Sequence, residues 1–312
     1  MKIEKTHDQR LFVAGGLHID ELATVCGAVH MHASNPVSWQ HFVGGAAANA
    51  AQAMRRVQAG KTDVVFAAAV GTDNHAQMLT EGLFQTGVQV FEQIVENKNT
   101  GRYSAIMDAH GKLLLGLADT SMAELLRAEF VNELISRFQP AGTLLDTNLS
   151  VPCLSGICKC CEASGIPLGV VAVSPAKAPR VSALATRITV LYCNRGEAEA
   201  LTESPPSTPV YDMCDKLAAL GFSRFVLTDG PRDVVVQTPA TRDVLPVLSK
   251  GAPKTVNGPG DALAGASFAR WISGMSLLEA VQNYGLPEAL GITSGATSIA
   301  RLRSSVAFGT TS

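Results

Sequence analysis

The chain has 312 residues, of which 46% are hydrophobic and 17% charged, and its formal net charge at pH 7 is −2. That composition suits a globular protein with a sizeable core, and the small net charge excludes a global attraction to nucleic acid or to an anionic membrane. The longest clean apolar run, Val64–Val70, is too short to span a bilayer, and the polar N-terminal segment MKIEKTHDQR does not resemble a secretory signal. We therefore expect a cytoplasmic protein with no membrane or nucleic acid polymer as a partner.

Apolar runs and helical segments alternate along most of the chain. Residues 11–16 predict a buried strand that ends in a turn, the Ala-rich residues 45–57 predict a helix, and residues 75–86 have helical periodicity. Further buried strands are predicted at residues 64–70, 143–146, 168–173, 188–192 and 225–228. Continuous apolar strands that alternate with helices indicate an α/β fold with a doubly wound, mostly parallel sheet and helices on both faces.

Two segments in the first third, residues 17–43 and 88–118, differ from this pattern because they look extended and contain no long helix. Within the second segment, residues 103–107 and 112–116 flank a short loop that contains Gly111, a pattern typical of a β-hairpin. We expect both segments to form a small β lid inserted into a single domain that covers residues 1–312.

The seven cysteines include a cluster at Cys158, Cys160 and Cys161. Zinc sites usually combine two Cys-x-x-Cys pairs, no second pair accompanies this cluster, and all seven histidines lie at or before position 110. We therefore interpret the cluster as reduced thiols on a helix, with a metal site as the less favoured alternative.

A glycine-rich turn near the C-terminus, Asn257-Gly258-Pro259-Gly260-Asp261, leads directly into a run of small helical residues. Free N–H groups at a helix start form a pocket for anions, and a carboxylate beside such a pocket can orient a hydroxyl nucleophile for phosphoryl transfer. A purely structural interpretation is also open, with Asn257 as the cap, Pro259 in the first turn and Asp261 favoured by the helix dipole.

Two common nucleotide-binding motifs are absent from the sequence. Gly60-Lys61-Thr62 resembles the end of a P-loop, but Arg55 stands where its first glycine belongs, and Leu263 stands where the dinucleotide fingerprint needs its third glycine. A Walker-type NTPase and a Rossmann dehydrogenase are therefore excluded.

A second glycine-rich motif contains Gly44, Gly45 and Asn49 at the start of the predicted helix 45–57. Glycines there would let backbone approach a ligand closely, and the Asn49 amide could both donate to and accept from a diol. Tight helix packing explains the same glycines.

Two more motifs follow predicted strands. Asn194 and Glu197 form an Asn-x-x-Glu pattern, which fits either a Mg²⁺–water cluster near phosphates or a helix capping box. Thr228 and Gly230 end a strand, where ligands of open α/β sheets bind.

Together and in this order, the motifs resemble those of the ribokinase-like (PfkB) family of small-molecule kinases. Residues 44–49 are similar to its N-terminal signature, residues 257–261 to its C-terminal G-A-G-D signature and residues 194–197 to its N-x-x-E motif. The resemblance covers essentially the whole chain. Its finer pattern is closest to the pseudouridine kinase branch, in residues 103–108, 116–120, 146–150 and 173–178.

This resemblance implies ATP-dependent transfer of a phosphoryl group to a sugar or nucleoside hydroxyl, with ATP and Mg²⁺ as cofactors and a homodimer formed through the lid. It implies that Asp261 acts as the base and that the amides around Gly258 and Gly260 form the anion hole. It further implies substrate contacts by Asp20, Gly44, Gly45, Asn49 and Lys177, nucleotide contacts by Asn194, Thr228, Gly230, Asn257, Gly258 and Gly260, and support of Mg²⁺ through water by Glu197.

The expected acceptor is the 5′-hydroxyl of pseudouridine, and a kinase for ribose or for another nucleoside such as adenosine is the alternative. Pro259 replaces the alanine of the family signature and has no N–H, so a non-catalytic nucleoside-binding protein on a kinase fold is a further alternative. Thr255-Val256 departs from the Asp-Thr that often precedes the signature, which leaves a monovalent-cation site open.

Overall fold

The computed structural model describes residues 10–58, 62–247, 258–295, 297 and 299–302. The strands are β1 (Leu11–Ala14), β2 (His18–Val25), β3 (Val37–Gly44), β4 (Val64–Val70), β5 (Val88–Ile94), β6 (Gly101–Met107), β7 (Leu113–Asp119), β8 (Gly142–Asp146), β9 (Leu168–Val171), β10 (Val190–Asn194), β11 (Phe225–Thr228), β12 (Val234–Gln237) and β13 (Arg242–Leu245). The α-helices are α1 (Ala46–Val57), α2 (Asn74–Gln85), α3 (Ala128–Phe138), α4 (Val151–Ala163), α5 (Arg195–Thr202), α6 (Val210–Ala219), α7 (Pro259–Ile272), α8 (Leu277–Ala280) and α9 (Leu286–Ser294).

Within the described residues, the larger sheet has nine strands in the order β13-β12-β11-β10-β9-β8-β1-β4-β5. All neighbouring strands from β11 to β5 pair in parallel, and only β12 and β13 add antiparallel pairs at one edge. The predicted α/β fold with a mostly parallel sheet is therefore confirmed.

The central strands are continuous apolar runs because helices cover both faces of the sheet. In β1, Leu11 and Val13 belong to the apolar cluster that includes residues of α1, α2 and α7, whereas Phe12 and Ala14 belong to the cluster that includes residues of α3, α4, α5 and α6. Successive side chains of a strand point to opposite faces, so a strand between two helical layers needs apolar residues at every position.

Helices α1 and α7 lie unusually close together because both are rich in small residues. A Cβ atom on Gly265 of α7 would lie only 2.1 Å from the carbonyl oxygen of Ala50 in α1. At the cavity end of the same helix pair, the Asn49 amide nitrogen donates to the Asp261 carboxylate at 3.0 Å. Close helix packing thus brings together the two glycine-rich motifs, one with Asn49 and one with Asp261.

A second, smaller sheet has the order β3-β2-β6-β7. Strands β6 and β7 form the predicted hairpin, and Gly111 occupies its turn with a positive φ of 80°. This sheet is consistent with the expected lid.

The expected boundary of the second lid segment, 88–118, needs a correction. Residues 88–94 form β5, which pairs in parallel with β4 at the edge of the larger sheet, so that only β6 and β7 contribute to the small sheet. The sequence of β5 mixes apolar and polar residues, and most of its side chains are only partly buried because it is an edge strand. The composition of a lid strand is similar, so the sequence did not separate the two cases.

Helix α4 carries most of the cysteine cluster into the core. Cys153, Cys158 and Cys161 are buried, and burial raises their pKa values to about 12, 11 and 12. Among the described residues, no three His, Cys, Asp or Glu side chains are grouped as metal ligands would be. Nor does any described helix have both the length and the apolar character that crossing a membrane requires.

Candidate active site

A cavity of about 1030 Å³ lies where the carboxyl ends of β10 and β11 and the start of α7 face the small sheet. Asp20 and Tyr103 border it from the small sheet, and Asn194 and Thr228 border it from the strand ends. Crevices at the carboxyl ends of parallel strands are where open α/β proteins bind ligands. The cavity is therefore the candidate active site.

Most of the candidate residues from the sequence meet in this cavity. Its lining includes Asp20, Gly45, Asn49, Lys177, Asn194, Glu197, Thr228, Gly230, Gly258, Gly260 and Asp261. Gly44 lies behind the lining, where a Cβ atom would come within 2.2 Å of an Asp20 carboxylate oxygen. Asn257 lies outside the described residues.

The start of α7 has the features of an anion pocket. Gly258 is the N-cap in the left-handed region, with φ 87°, and the Ala262 amide makes the first helical bond to its carbonyl at 2.9 Å. Because helix geometry provides no earlier acceptor, the amides of Gly260 and Asp261 have no partner within the helix. A Cβ atom on Gly260 would meet no described atom within 4 Å, so a ligand has room there.

The Asp261 carboxyl group reaches this cavity from the first turn of α7. Burial raises its pKa to about 6, a hydrogen bond from Asn49 acts in the opposite direction, and the carboxylates of Asp146 and Asp20 raise the pKa further. A carboxylate with a pKa near the working pH can accept a proton from an alcohol.

The neighbouring side of the cavity provides oxygen atoms for a hydroxylated ligand. The side-chain oxygen of Asn49 is buried and has no hydrogen-bond partner among the described residues. Asp20 contacts His18, with its Oδ1 atom 3.1 Å from the Nε2 atom. Gly45 has a φ of 112°, and a Cβ atom there would lie 2.1 Å from the Gly16 carbonyl oxygen, so this close approach requires glycine.

Lys177 borders the cavity near the end of the small sheet. Its Nζ atom donates to the side-chain oxygen of Asn148 at 2.7 Å and lies 3.5 Å from the Thr120 hydroxyl. Burial lowers the pKa of Lys177, while the nearby Asp146 carboxylate raises it. Lys177 therefore brings a hydrogen-bond donor to the cavity lining.

Asn194 and Glu197 form a complete capping box at the start of α5. The Asn194 side chain accepts from the Glu197 amide at 3.0 Å, and the two Glu197 oxygens accept from the Asn194 amide and side chain, each at 2.8 Å. The structural alternative from the sequence is thus present. Burial nevertheless raises the pKa of Glu197 to about 7, and the carboxyl group lines the cavity.

Asp146, which begins the predicted motif at residues 146–150, was assigned no role from the sequence; it lies at the end of β8 and is fully buried. Its carboxylate accepts hydrogen bonds from the amides of Gly16, Ala47 and Asn148 and from the Asn148 side chain. An acidic residue directly after the apolar run of β8 was the available signal, because a buried charge needs such partners.

Comparison with known proteins identifies the class and the family of this chain. The class that the fold and the site define is a phosphotransferase with an alcohol group as acceptor. Residues 19–283 match the pfkB family of carbohydrate kinases, and the chain belongs to that family.

Three individual proteins show how similar the chain is to known kinases. The chain is 27% identical over 276 residues to the pseudouridine kinase of Escherichia coli (strain K12), covering 86% of each protein. It is similar to the solved structure of a carbohydrate kinase from Agrobacterium tumefaciens, with 30% identity, a TM-score of 0.81 and coverage of 94% and 92% of the two chains. The Arabidopsis thaliana ribokinase solved with ribose and ATP shares the fold, with a TM-score of 0.79, 17% identity and coverage of 92% and 93%. The protein is therefore a sugar or nucleoside kinase.

Proposed function

We propose that the protein transfers the γ-phosphoryl group of ATP to the 5′-hydroxyl of a ribonucleoside, with pseudouridine as the preferred acceptor. The observation that carries this proposal is the Asp261 carboxyl group, which faces the cavity at an open helix start and is held by Asn49. The similarity to a pseudouridine kinase supports this acceptor over ribose or adenosine.

In the proposed reaction, the acceptor lies between the small sheet and the start of α1. Asp20, Asn49 and the backbone at Gly44 and Gly45 bind its hydroxyl groups. The 5′-oxygen forms a bond to the γ-phosphorus as the bond to the β–γ bridging oxygen breaks, ADP leaves, and the hydroxyl proton passes to Asp261. Most of the acceleration comes from alignment and charge stabilisation, because the transition state of phosphoryl transfer is loose.

The start of α7 would hold the transferred phosphoryl group. The amides of Gly258 and Gly260 provide hydrogen-bond donors, and the helix dipole adds positive potential. Pro259 contributes no N–H, so its neighbours must stabilise the charge without it. We propose that the nucleotide extends from there along Asn194, Thr228 and Gly230, with Asn257 beside it.

Mg²⁺ fits this site through water rather than through direct ligands. Each carboxylate oxygen of Glu197 accepts one hydrogen bond from Asn194. Each oxygen keeps a lone pair that can accept a hydrogen bond from a water molecule coordinated to Mg²⁺. Bound Mg²⁺ would neutralise charge on the phosphates. A monovalent-cation site stays open, since residues 248–257 lie outside the described part of the chain.

Lys177 would contact the acceptor base, and Asn148 and Thr120 would hold its Nζ atom in place. Its Nζ atom has three donors and is bonded to Asn148, so a further donor is available for a carbonyl group of the base. Ribose has no base to reach this side of the cavity, which supports a nucleoside acceptor.

An acceptor panel tests the proposed function. ADP release would be measured with pseudouridine, uridine, adenosine and ribose, and we expect the highest kcat/KM for pseudouridine. A higher kcat/KM for ribose or adenosine would refute the proposed acceptor. Tight nucleoside binding without ADP release from any member of the panel would instead support the non-catalytic alternative.

We also propose that the small sheet forms a homodimer interface. Trp39, Ala23, Ile106 and Leu115 are paired across its four strands and therefore share one face. At the two ends of this row, Trp39 is 49% and Leu115 50% exposed, whereas Ala23 between them is buried. Asp20 is three residues from Ala23 in β2, so the apolar row lies on the face opposite the one that borders the cavity. Exposed apolar rows on a sheet are typical of protein–protein contacts.

Replacing Leu115 with glutamate should convert this dimer into a monomer, because the carboxylate would be buried without a partner in the interface. Analytical ultracentrifugation would measure the mass of both proteins. Leu220→Glu is the matched control, since Leu220 is 39% exposed at the end of α6, away from the small sheet. A monomeric parent protein, or a dimeric Leu115→Glu variant, would contradict the proposed interface.

A further inference from the structure

Asp146 lies where the connections of the larger sheet change direction. Its strand, β8, pairs with β1 on one side, while the chain continues from β1 towards β4 and from β8 towards β9. The carboxyl ends of two such strands border the ligand crevice of an open α/β sheet. Asp146 is fully buried there and is not part of the cavity lining.

The Asp146 carboxylate acts as a distant cap for α1. Its Oδ2 atom accepts from the amide of Ala47, the second residue of that helix, at 3.0 Å, and from the amide of Gly16, also at 3.0 Å. The N-cap residue Gly45 has no side chain to do this, and the first turn of α1 contains no acidic residue. A negative charge at a helix start is stabilising, so Asp146 fixes the helix that carries Asn49.

The same carboxylate orients the Asn148 side chain. The Asn148 amide nitrogen donates to Asp146 at 2.9 Å, and its oxygen accepts from Lys177 at 2.7 Å. An ionised carboxylate has no hydrogen to donate, so the NH₂ end of the Asn148 amide must face Asp146. The oxygen end of the amide therefore faces Lys177. Arg180 supports this loop by donating to the carbonyl groups of residues 147–149.

We propose that Asp146 is a positioning residue for the acceptor half of the site. It holds Asn49 and the Asn148–Lys177 pair in place without contacting the acceptor. This inference rests on the proposed function, in which the acceptor lies against Asn49 and Lys177. The nucleotide half, around Thr228 and Gly230, has no hydrogen bond to Asp146 among the described residues.

Asp146→Asn is the test, because it keeps the shape of the side chain but removes the charge and directs an N–H at a donor. Losing hydrogen bonds to a charged group is expected to raise the acceptor KM by about 10- to 100-fold. The KM for ATP should change by less than about twofold, because Asp146 makes no hydrogen bond to the nucleotide half of the site. The difference between the two KM values thus reports which half of the site was disturbed. Equal increases in both KM values, or an unchanged acceptor KM, would overturn the proposal.

Thr143→Val is the matched control, since Thr143 lies in the same strand, is equally buried and has an unpartnered hydroxyl among the described atoms. It should leave both KM values unchanged. If Asp146→Asn does not fold, Asn148→Ala tests the same relay while leaving the bonds of Asp146 to Gly16 and Ala47 intact. It should also raise only the acceptor KM, and an unchanged value would contradict the proposal.

These measurements use whichever acceptor the parent protein phosphorylates fastest. Failure with pseudouridine would therefore refute only the proposed acceptor. An acceptor KM that does not respond to Asp146→Asn would refute only the positioning role.

Discussion

Replacing Asp261 with asparagine is expected to lower kcat by about 10²- to 10⁴-fold, the range of a positioned general base. The change removes the proton acceptor but keeps the size of the side chain and its position beside Asn49. Binding of ATP, measured by calorimetry, should stay nearly unchanged because the nucleotide half of the site is not altered.

The pH dependence of kcat/KM provides a second readout of the same variant. The base must be ionised to accept a proton, and burial raises the pKa of Asp261 to about 6. Activity of the parent protein should therefore fall as the pH decreases through about 6. The pKa of Glu197 is raised to about 7, so this group titrates in the same pH range. The variant separates the two groups, because the acidic limb of the pH profile that Asp261→Asn abolishes belongs to Asp261.

Asp229→Asn is the control for this experiment. Asp229 also lines the cavity, but it pairs with Arg195 and Arg232 and has no proposed part in proton transfer. We expect its effect on kcat to be far smaller. Near-parental turnover by the Asp261→Asn variant would show that another group accepts the proton.

Replacing Gly265 with alanine is expected to lower the free energy of unfolding by about 3 kcal/mol, at the upper end of typical overpacking costs. For a chain of this size, that loss corresponds to a decrease in Tm of roughly 5 °C, to be measured by thermal denaturation. The new methyl group would lie 2.1 Å from the backbone oxygen of Ala50, so α1 and α7 would have to separate. Because these helices carry Asn49 and Asp261, activity should fall as well.

The sign of this effect is informative, because helix propensity alone predicts that a glycine-to-alanine change stabilises a helix by about 1 kcal/mol. Gly196→Ala is the matched control in α5, where the new Cβ atom would meet its nearest neighbours at an ordinary 3.5 Å. Its Tm should stay the same or rise. A Tm increase for Gly265→Ala would contradict the close packing of α1 and α7.

The candidate site could be predicted from the sequence only in part. Asp261, Asn49 and Gly45 stood out because their motifs have local signatures: glycines before a helix and polar residues in its first turn. Asp146 did not, since its partners Gly16 and Ala47 are 130 and 99 residues away in the chain. The meaning of the Asn194–Glu197 pair was equally open, because a capping box and an ion-binding motif have the same spacing.

By itself, the sequence determined the fold class and the strand ends at which chemistry would occur, because continuous apolar runs and glycine-rich turns report burial and backbone freedom directly. Only the tertiary structure decided that β5 joins the larger sheet, that Gly265 packs against Ala50, and that one buried carboxylate connects the turn after β1, the start of α1 and the end of β8. These are contacts between segments far apart in the chain, and no local pattern of residues specifies which distant partner a strand, a helix or a charge will meet.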